Sequence, residues 1–188
     1  MIEYISGKVA LLTPANVVID CGGVGYGLEI SLNSYTTLQG QQEARLWVHE
    51  VIREDAYMLY GFCTEAERSM FRLLLGVNGV GAATARMLLS SLTVDELTTA
   101  IASQDAKMVQ RVKGVGAKTA QRIVLELCDK VGGTGMVAVA AAVSRNKEEA
   151  LGALVMLGFA KAAAEKVLQP MDATLPVETL IKEALKKL

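Results

Sequence analysis

The sequence predicts an α+β chain of several domains: a small five-stranded β-barrel, an all-helical middle and a small three-helix unit at the end. Three observations carry this. Residues 1–62 alternate short β-branched and aromatic runs with Gly, Pro, Asn and Asp clusters. The middle contains one nine-residue glycine segment twice, and Gly158, Pro170 and Pro176 divide the end into helical lengths.

Strands are expected at Ile2 to Leu12, Asn16 to Cys21, Gly25 to Ser31, Ala44 to Val51 and Ala56 to Phe62. Five short strands make a small barrel, and barrels of the OB type commonly bind single strands or nucleic-acid backbone. This one lacks the aromatic-plus-basic stripe used for stacking on bases. Tyr4, Tyr26, Trp47, Tyr57 and Tyr60 read as core or interface residues. The run Gly22-Gly23-Val24-Gly25-Tyr26-Gly27 suggests a dinucleotide fingerprint, but its third glycine is replaced by Leu28 or Ile30, and a tight turn between strands explains it. Arg53-Glu54-Asp55 falls where a hairpin tip is expected. Adjacent carboxylates there are an ordinary solvated turn on a plain barrel. Beside a phosphate-binding module they would repel a nucleic-acid backbone, separating strands or excluding a wrong path.

The repeated segment is Val77-Asn78-Gly79-Val80-Gly81-Ala82-Ala83-Thr84-Ala85, returning as Val112-Lys113-Gly114-Val115-Gly116-Ala117-Lys118-Thr119-Ala120, with seven of nine positions identical. Glycine tolerates positive φ and lacks a Cβ, so the turn bends sharply and another backbone can approach it. The helix that follows starts with unpaired amides and the positive end of its dipole, which suits a phosphate. Ala85, Leu88, Leu89 and Leu92 keep helical spacing after the first turn, as do Ala120, Ile123, Val124 and Leu127 after the second. Thr64 with Glu67 and Thr93 with Glu96 have capping-box spacing for the leading helices. Either the turns are ordinary corners between packed helices, or they hold phosphates through Asn78, Gly79, Val80 and Gly81, and through Lys113, Gly114, Val115, Gly116, Lys118, Thr119 and Arg122. Duplication favours the second.

Charge points the same way. The chain is near neutral at −1, which excludes a non-specific polycation. Lys107, Arg111, Lys113, Lys118 and Arg122 nonetheless fall in a stretch without an acid, a local positive field suited to phosphates or else a solvated helix face. Gly116-Ala117-Lys118-Thr119 is not a nucleotide-binding P-loop, because Ala117 and Val112 stand where that loop needs glycine. No catalytic residues, cofactor or metal site is expected: the hairpin region lacks an acidic cluster with metal-nuclease spacing, and His49 has no discernible catalytic partner in the sequence. Cys21, Cys63 and Cys128 lack zinc or disulfide spacing and read as reduced, buried thiols. Without a signal-peptide start or a membrane span, a cytoplasmic protein is expected.

Residues 132–145 read as a linker, a glycine cluster followed by an Ala/Val run that is otherwise a short helix. Asn146 with Glu149 is expected to start a helix through Leu157, Gly158-Phe159 to turn it, a second helix to reach Gln169, and Pro176 to open a third.

Taken together, Met1-Ile2, Cys21-Gly22-Gly23-Val24-Gly25-Tyr26, the Arg53-Glu54-Asp55-Ala56 tip with Leu59-Tyr60-Gly61-Phe62, and the two hairpins closely resemble the bacterial RuvA family nearly end to end. The resemblance implies an OB-fold domain over 1–62, a tandem helix-hairpin-helix DNA-binding domain over 63–131, a flexible linker over 132–145 and a small three-helix, UBA-like domain over 146–188. It implies a homotetramer, alone or paired as an octamer, that holds a four-way (Holliday) DNA junction open. Such a protein is the non-catalytic subunit of an ATP-dependent branch-migration complex in recombination, repair and the SOS response. Its partners are a RuvB-type hexameric ATPase and, further, a RuvC-type junction resolvase. Glu54 and Asp55 match the family's acidic pin, and Leu154, Leu157 and Phe159 fall either in the core of the last domain or near its motor contact. Relatives often carry a proline-lysine pair after the first hairpin, where Ala82 and Ala83 stand here. Two other readings of the helices remain: a repair-nuclease-associated hairpin protein and a protein-interaction scaffold without DNA.

Overall fold

The computed structural model describes residues 1–131, 140–172 and 175–187. Its first part is a barrel of β1 (Tyr4–Leu12), β2 (Asn16–Cys21), β3 (Val24–Ile30), β4 (Glu43–Ile52) and β5 (Tyr57–Phe62). The strands close in the order β1-β2-β3-β5-β4. All pairings are antiparallel except β3 with β5, which meet in parallel at Glu29 with Tyr60 and Ile30 with Gly61. Alternate residues point inward, so Val17 and Ile19, Leu28 and Ile30, and Leu46 and Val48 form one buried interior. Between β2 and β3 the chain reverses in two residues, Gly22 and Gly23, both at positive φ (67° and 95°). That is the geometry a tight hairpin requires and one that side-chain-bearing residues resist.

One element was not legible in the sequence. Leu32–Leu38 forms a short helix, α1, between β3 and β4. Its Asn, Thr and Tyr content favours other states, so local propensity gives no signal. Tertiary bonds hold it instead. Ser31 caps its start, and the Asn33 amide donates to the carbonyls of Leu89 and Leu92 (2.7 and 3.1 Å) at the end of a later helix.

The helical middle runs α2 (Glu65–Leu75), α3 (Ala82–Ser91), α4 (Val94–Ala102), α5 (Ala106–Gln110) and α6 (Ala117–Val131). Its core contains Ala85, Leu88, Leu89, Ala120, Ile123, Val124 and Leu127, seven of the residues expected from helical spacing, with the eighth, Leu92, packed at its edge. The Thr93–Glu96 capping box is complete. The Thr64–Glu67 box is not. Thr64 accepts from the Glu67 amide, but the Glu67 carboxylate turns inward to accept from the Ser31 hydroxyl and from that of Ser34 (2.8 Å). The helix that Thr93 opens also stops early. Gln104 adopts φ 55° and Asp105 caps a new five-residue helix, so the second hairpin is led by the short α5.

Barrel and hairpin helices form one unit. Phe71 of α2 lies against the rings of Phe62, Tyr60 and His49, with centroids 4.9, 5.1 and 5.4 Å apart. The buried Arg68 guanidinium donates to the Glu3 carboxylate (2.6 Å) and stacks on Trp47 (4.8 Å). Arg86 of α3 pairs with Glu29 of β3 at 2.9 Å. Two charged groups buried from α2, each with partners on the barrel, fix the relative placement of tip and hairpins better than a purely apolar contact would.

A second unit contains α7 (Ala140–Met156), α8 (Lys161–Leu168) and α9 (Val177–Leu185). Ala150, Leu154, Ala164, Leu168, Leu180 and Ala184 form its core. The first helix starts before the expected Asn146, whose side-chain amide is used elsewhere, donating to the Leu175 carbonyl at 3.1 Å. The linker expected over 132–145 lies outside the described residues from 132 to 139. Gly158 (φ 97°) makes the expected turn, and Pro176 precedes α9.

Candidate nucleic-acid interface

The two glycine hairpins have the same backbone. Gly79 and Gly114 adopt φ of 90° and 88°. The amides of Val77, Val80 and Ala85 donate to Leu74, Val77 and Gly81 carbonyls, and those of Val112, Val115 and Ala120 donate to Val109, Val112 and Gly116 carbonyls. Only the first glycine of each pair needs its left-handed φ. The second serves by lacking bulk: at Gly81 and at Gly116 an added Cβ would meet no atom within 4 Å, which leaves the turn open to an approaching backbone.

This geometry sorts the expected phosphate contacts. Asn78, Gly79 and Gly81, and Lys113, Gly114, Gly116 and Lys118, are exposed, with Thr119 half-buried. Val80 and Val115 differ. Their side chains are buried in the helical core, and their amides are bonded within the turn, so they hold the turns in shape and offer a phosphate neither side chain nor free donor. Behind Gly81 helix α3 begins with no side-chain cap, so its leading amides face outward, as does the positive end of its dipole.

Charge separates the copies. Lys107, Arg111, Lys113 and Lys118 are exposed and form no ion pair among the described residues. Around the first hairpin Arg86 is turned to the barrel, bonded to Glu29 and to the Ala15 carbonyl (3.2 Å). Arg122, expected as a phosphate contact of the second hairpin, reaches across instead. Its Nη1 donates to the Asn78 carbonyl at 2.9 Å, and its Nε lies 3.8 Å from the Glu126 carboxylate. A signal for this was present: the 35-residue shift pairs Lys113, Lys118 and Arg122 with Asn78, Ala83 and Met87, leaving the first copy without a cation at any of the three positions.

The acidic tip is where the sequence placed it. β4 and β5 are joined by Arg53–Ala56, closed by the Arg53 amide on the Ala56 carbonyl (2.8 Å). Glu54 and Asp55 are fully outside the barrel and have no ion-pair partner among the described residues. Below the tip, Glu50 accepts from the Tyr57 hydroxyl (2.6 Å) and the Ile2 amide (2.9 Å), and these bonds hold its carboxyl below the usual range. On β4, burial first and then Arg72 and Arg68 hold His49 below its ordinary value. In the second unit, Leu154 is fully buried and is core, not contact surface; Phe159 is partly buried against that core, and Leu157 is 61 % exposed beside exposed Val155 and Met156. No helix among the described residues is long and apolar enough to cross a membrane.

A five-stranded barrel fused to a tandem pair of glycine hairpins, with one cationic turn and an unpaired acidic tip, defines a class of protein built around nucleic-acid backbone. Residues 1–61 match the RuvA N-terminal domain, 71–129 the SAM-like helix-hairpin-helix tandem and 145–188 the RuvA C-terminal domain. Over the full length of both chains, the sequence is 46 % identical to the Holliday junction branch migration complex subunit RuvA of Bacteroides fragilis. The same comparison gives 47 % for the subunit of Bacteroides thetaiotaomicron and 45 % for that of Christiangramia forsetii, again over all of both chains. The chain belongs to the RuvA family.

Proposed function

We propose that this chain binds four-way DNA junctions as a homotetramer and brings a RuvB-type ATPase to them for branch migration. The observation that carries the reading is the pair of hairpins with matching φ and backbone hydrogen bonds, one strongly cationic, on a unit that also presents two carboxylates unpaired among the described residues, in a chain matching RuvA subunits end to end. Gly79, Gly81, Gly114, Gly116, Lys113 and Lys118 hold phosphates, which set register and orientation without reading bases. Phosphates alone do not distinguish a junction from a duplex. That preference comes from repeating the hairpins around the Glu54–Asp55 pin, whose negative charge keeps arms from closing over the crossover. The chain itself performs no bond chemistry; work comes from the ATPase, docked on the exposed face at Leu157 in the last domain. The assembly acts in the cytoplasm, as one tetramer or two, and leaves room for a RuvC-type resolvase.

The test compares affinity for a four-way junction and for a linear duplex of equal length at fixed salt, with oligomeric state measured in the same solution. A junction preference carried by a tetramer is expected; equal affinity for both DNAs would overturn the reading. Replacing Glu54 with Gln and Asp55 with Asn is expected to leave junction binding intact or tighter while changing motor-driven branch migration. A large loss of affinity would show that these carboxylates contribute to binding and do not repel.

A further inference from the structure

The cations of the hairpin region are distributed in a way the repeat does not suggest. The first hairpin has none of its own facing outward from α3: Ala83 replaces a lysine and Arg86 is held by Glu29 and the Ala15 carbonyl. Among the described residues, the guanidinium that touches it comes from the second hairpin. Arg122 Nη1 lies 2.9 Å from the Asn78 carbonyl oxygen, and a Cβ added to Gly79 would lie 3.9 Å from the same nitrogen. Glu126, one turn on, stands 3.8 Å from Nε and brackets the planar group from its other edge. There is no reciprocal reach, because the residue matching Arg122 in the first copy is Met87, which has no donor.

We propose that Arg122 is a positioning residue for the first hairpin: its bond to the Asn78 carbonyl fixes the peptide plane that carries the Gly79 amide. The Asn78–Gly79 peptide is trans, so in this planar unit the carbonyl and the amide point in opposite directions. Holding the oxygen toward α6 therefore aims the Gly79 N–H away from it. Accepting a charge-assisted bond also polarises the peptide, making that N–H a better donor. Glycine at φ 90° is otherwise free to rotate, so this turn gains more from an external clasp than a turn with side-chain-bearing residues would. The hairpin that lacks a lysine is thus ordered by the hairpin that has one, and the two turns bind as a coupled pair. This rests on reading the hairpins as phosphate-binding turns.

The experiment uses the full chain with Arg122→Met and Arg122→Lys. Amide hydrogen exchange without DNA is followed in peptides covering each hairpin, and junction affinity is measured across a salt series. Expected is exchange faster by about tenfold at the first hairpin and unchanged at the second in both variants. Junction affinity should fall by about tenfold in both, the size of one charge-assisted bond. Arg122→Lys should keep the wild-type salt slope, since it keeps the charge and loses the fork that spans Asn78 and Glu126. Wild-type affinity in Arg122→Lys, or equal exchange changes at both hairpins, overturns the proposal. Should Arg122→Met unfold, Arg122→Lys decides alone. Exchange in the free protein tests the clasp separately from DNA binding: a wild-type chain that ignored junctions would sink the functional reading and leave the exchange result standing.

Discussion

At Gly79 and at Gly114 the chain turns with φ of 90° and 88°, and the backbone hydrogen bonds around the two turns correspond one for one. Around that shared backbone stand Asn78, Ala83 and Met87 in one copy and Lys113, Lys118 and Arg122 in the other. Shape and charge have therefore been separated within a single molecule. The buried valines, Val77 and Val80 against Val112 and Val115, keep both turns in the same form, so the difference lies in what each turn offers a phosphate and not in whether it can offer it. An amide turn orients a backbone oxygen; a lysine beside it adds long-range attraction that depends on salt.

The largest expected effect tests that separation directly. Lys118→Ala should lower junction affinity by about tenfold or more per contact and reduce the salt slope by about one per subunit. The loss should be similar whatever the DNA sequence. The converse, Ala83→Lys, gives the first turn the cation it lacks. It should raise affinity and steepen the slope by about one per subunit. Titrations at several salt concentrations measure both; a flat response to Ala83→Lys would mean that the first turn does not approach a phosphate.

A smaller effect separates shape from charge. Gly79→Ala and Gly114→Ala each force a side chain into a left-handed φ, at a stability loss of about 1 kcal/mol in either turn. Thermal or denaturant unfolding should show equal losses. If one turn tolerated alanine and the other did not, the backbone equivalence would be limited to the resting state.

The two hairpins also differ in how readable they were. Repeat and helical spacing placed both turns, local cation excess marked the second, and β-branched runs between turn residues placed five strands, because each of these signals is local. What was missed depends on partners distant in sequence. Helix α1 forms because Asn33 reaches Leu89 and Leu92. Glu67 leaves its capping box because Ser31 and Ser34 wait across the barrel joint. Arg122 serves the other hairpin because folding brings Asn78 to it. Asn146 looks like a cap and instead bonds Leu175. In each case the residue type was informative about chemistry, a donor or acceptor needing a partner, while the choice of partner belonged to the tertiary fold.

The smallest expected effect concerns how each hairpin is anchored. The helix leading the first turn, α2, lies on the barrel through Phe71 against His49 and through Arg72, whose Nε lies 3.5 Å from His49 Nδ1. Burial, with Arg72 and Arg68 nearby, holds the folded-state pKa of His49 below its ordinary 6.5. A base whose folded pKa is depressed is favoured neutral in the fold. Its contribution is fully present above 6.5 and is lost as pH falls from there through the folded value. Stability should therefore decline on going from about pH 7 to about pH 5, and His49→Gln should remove that part of the decline. Glu3, Glu50 and Glu96 are carboxylates held below the ordinary 4.5. They lose their contributions only at lower pH; Glu3 and Glu96 act alike in the wild-type and His49→Gln chains, and His49 is only the last of the influences on Glu50, after the Tyr57 and Ile2 bonds. Hydrogen exchange through the upper window should show protection falling at α2 and the first turn before α6 and the second, because the charges that act on a protonated His49 are Arg72 and Arg68 of α2, only partly offset by Glu50 of β4. Equal loss at both turns would mean that the barrel joint and the second hairpin open together, and that the anchoring of the two copies is shared even though their charge is not.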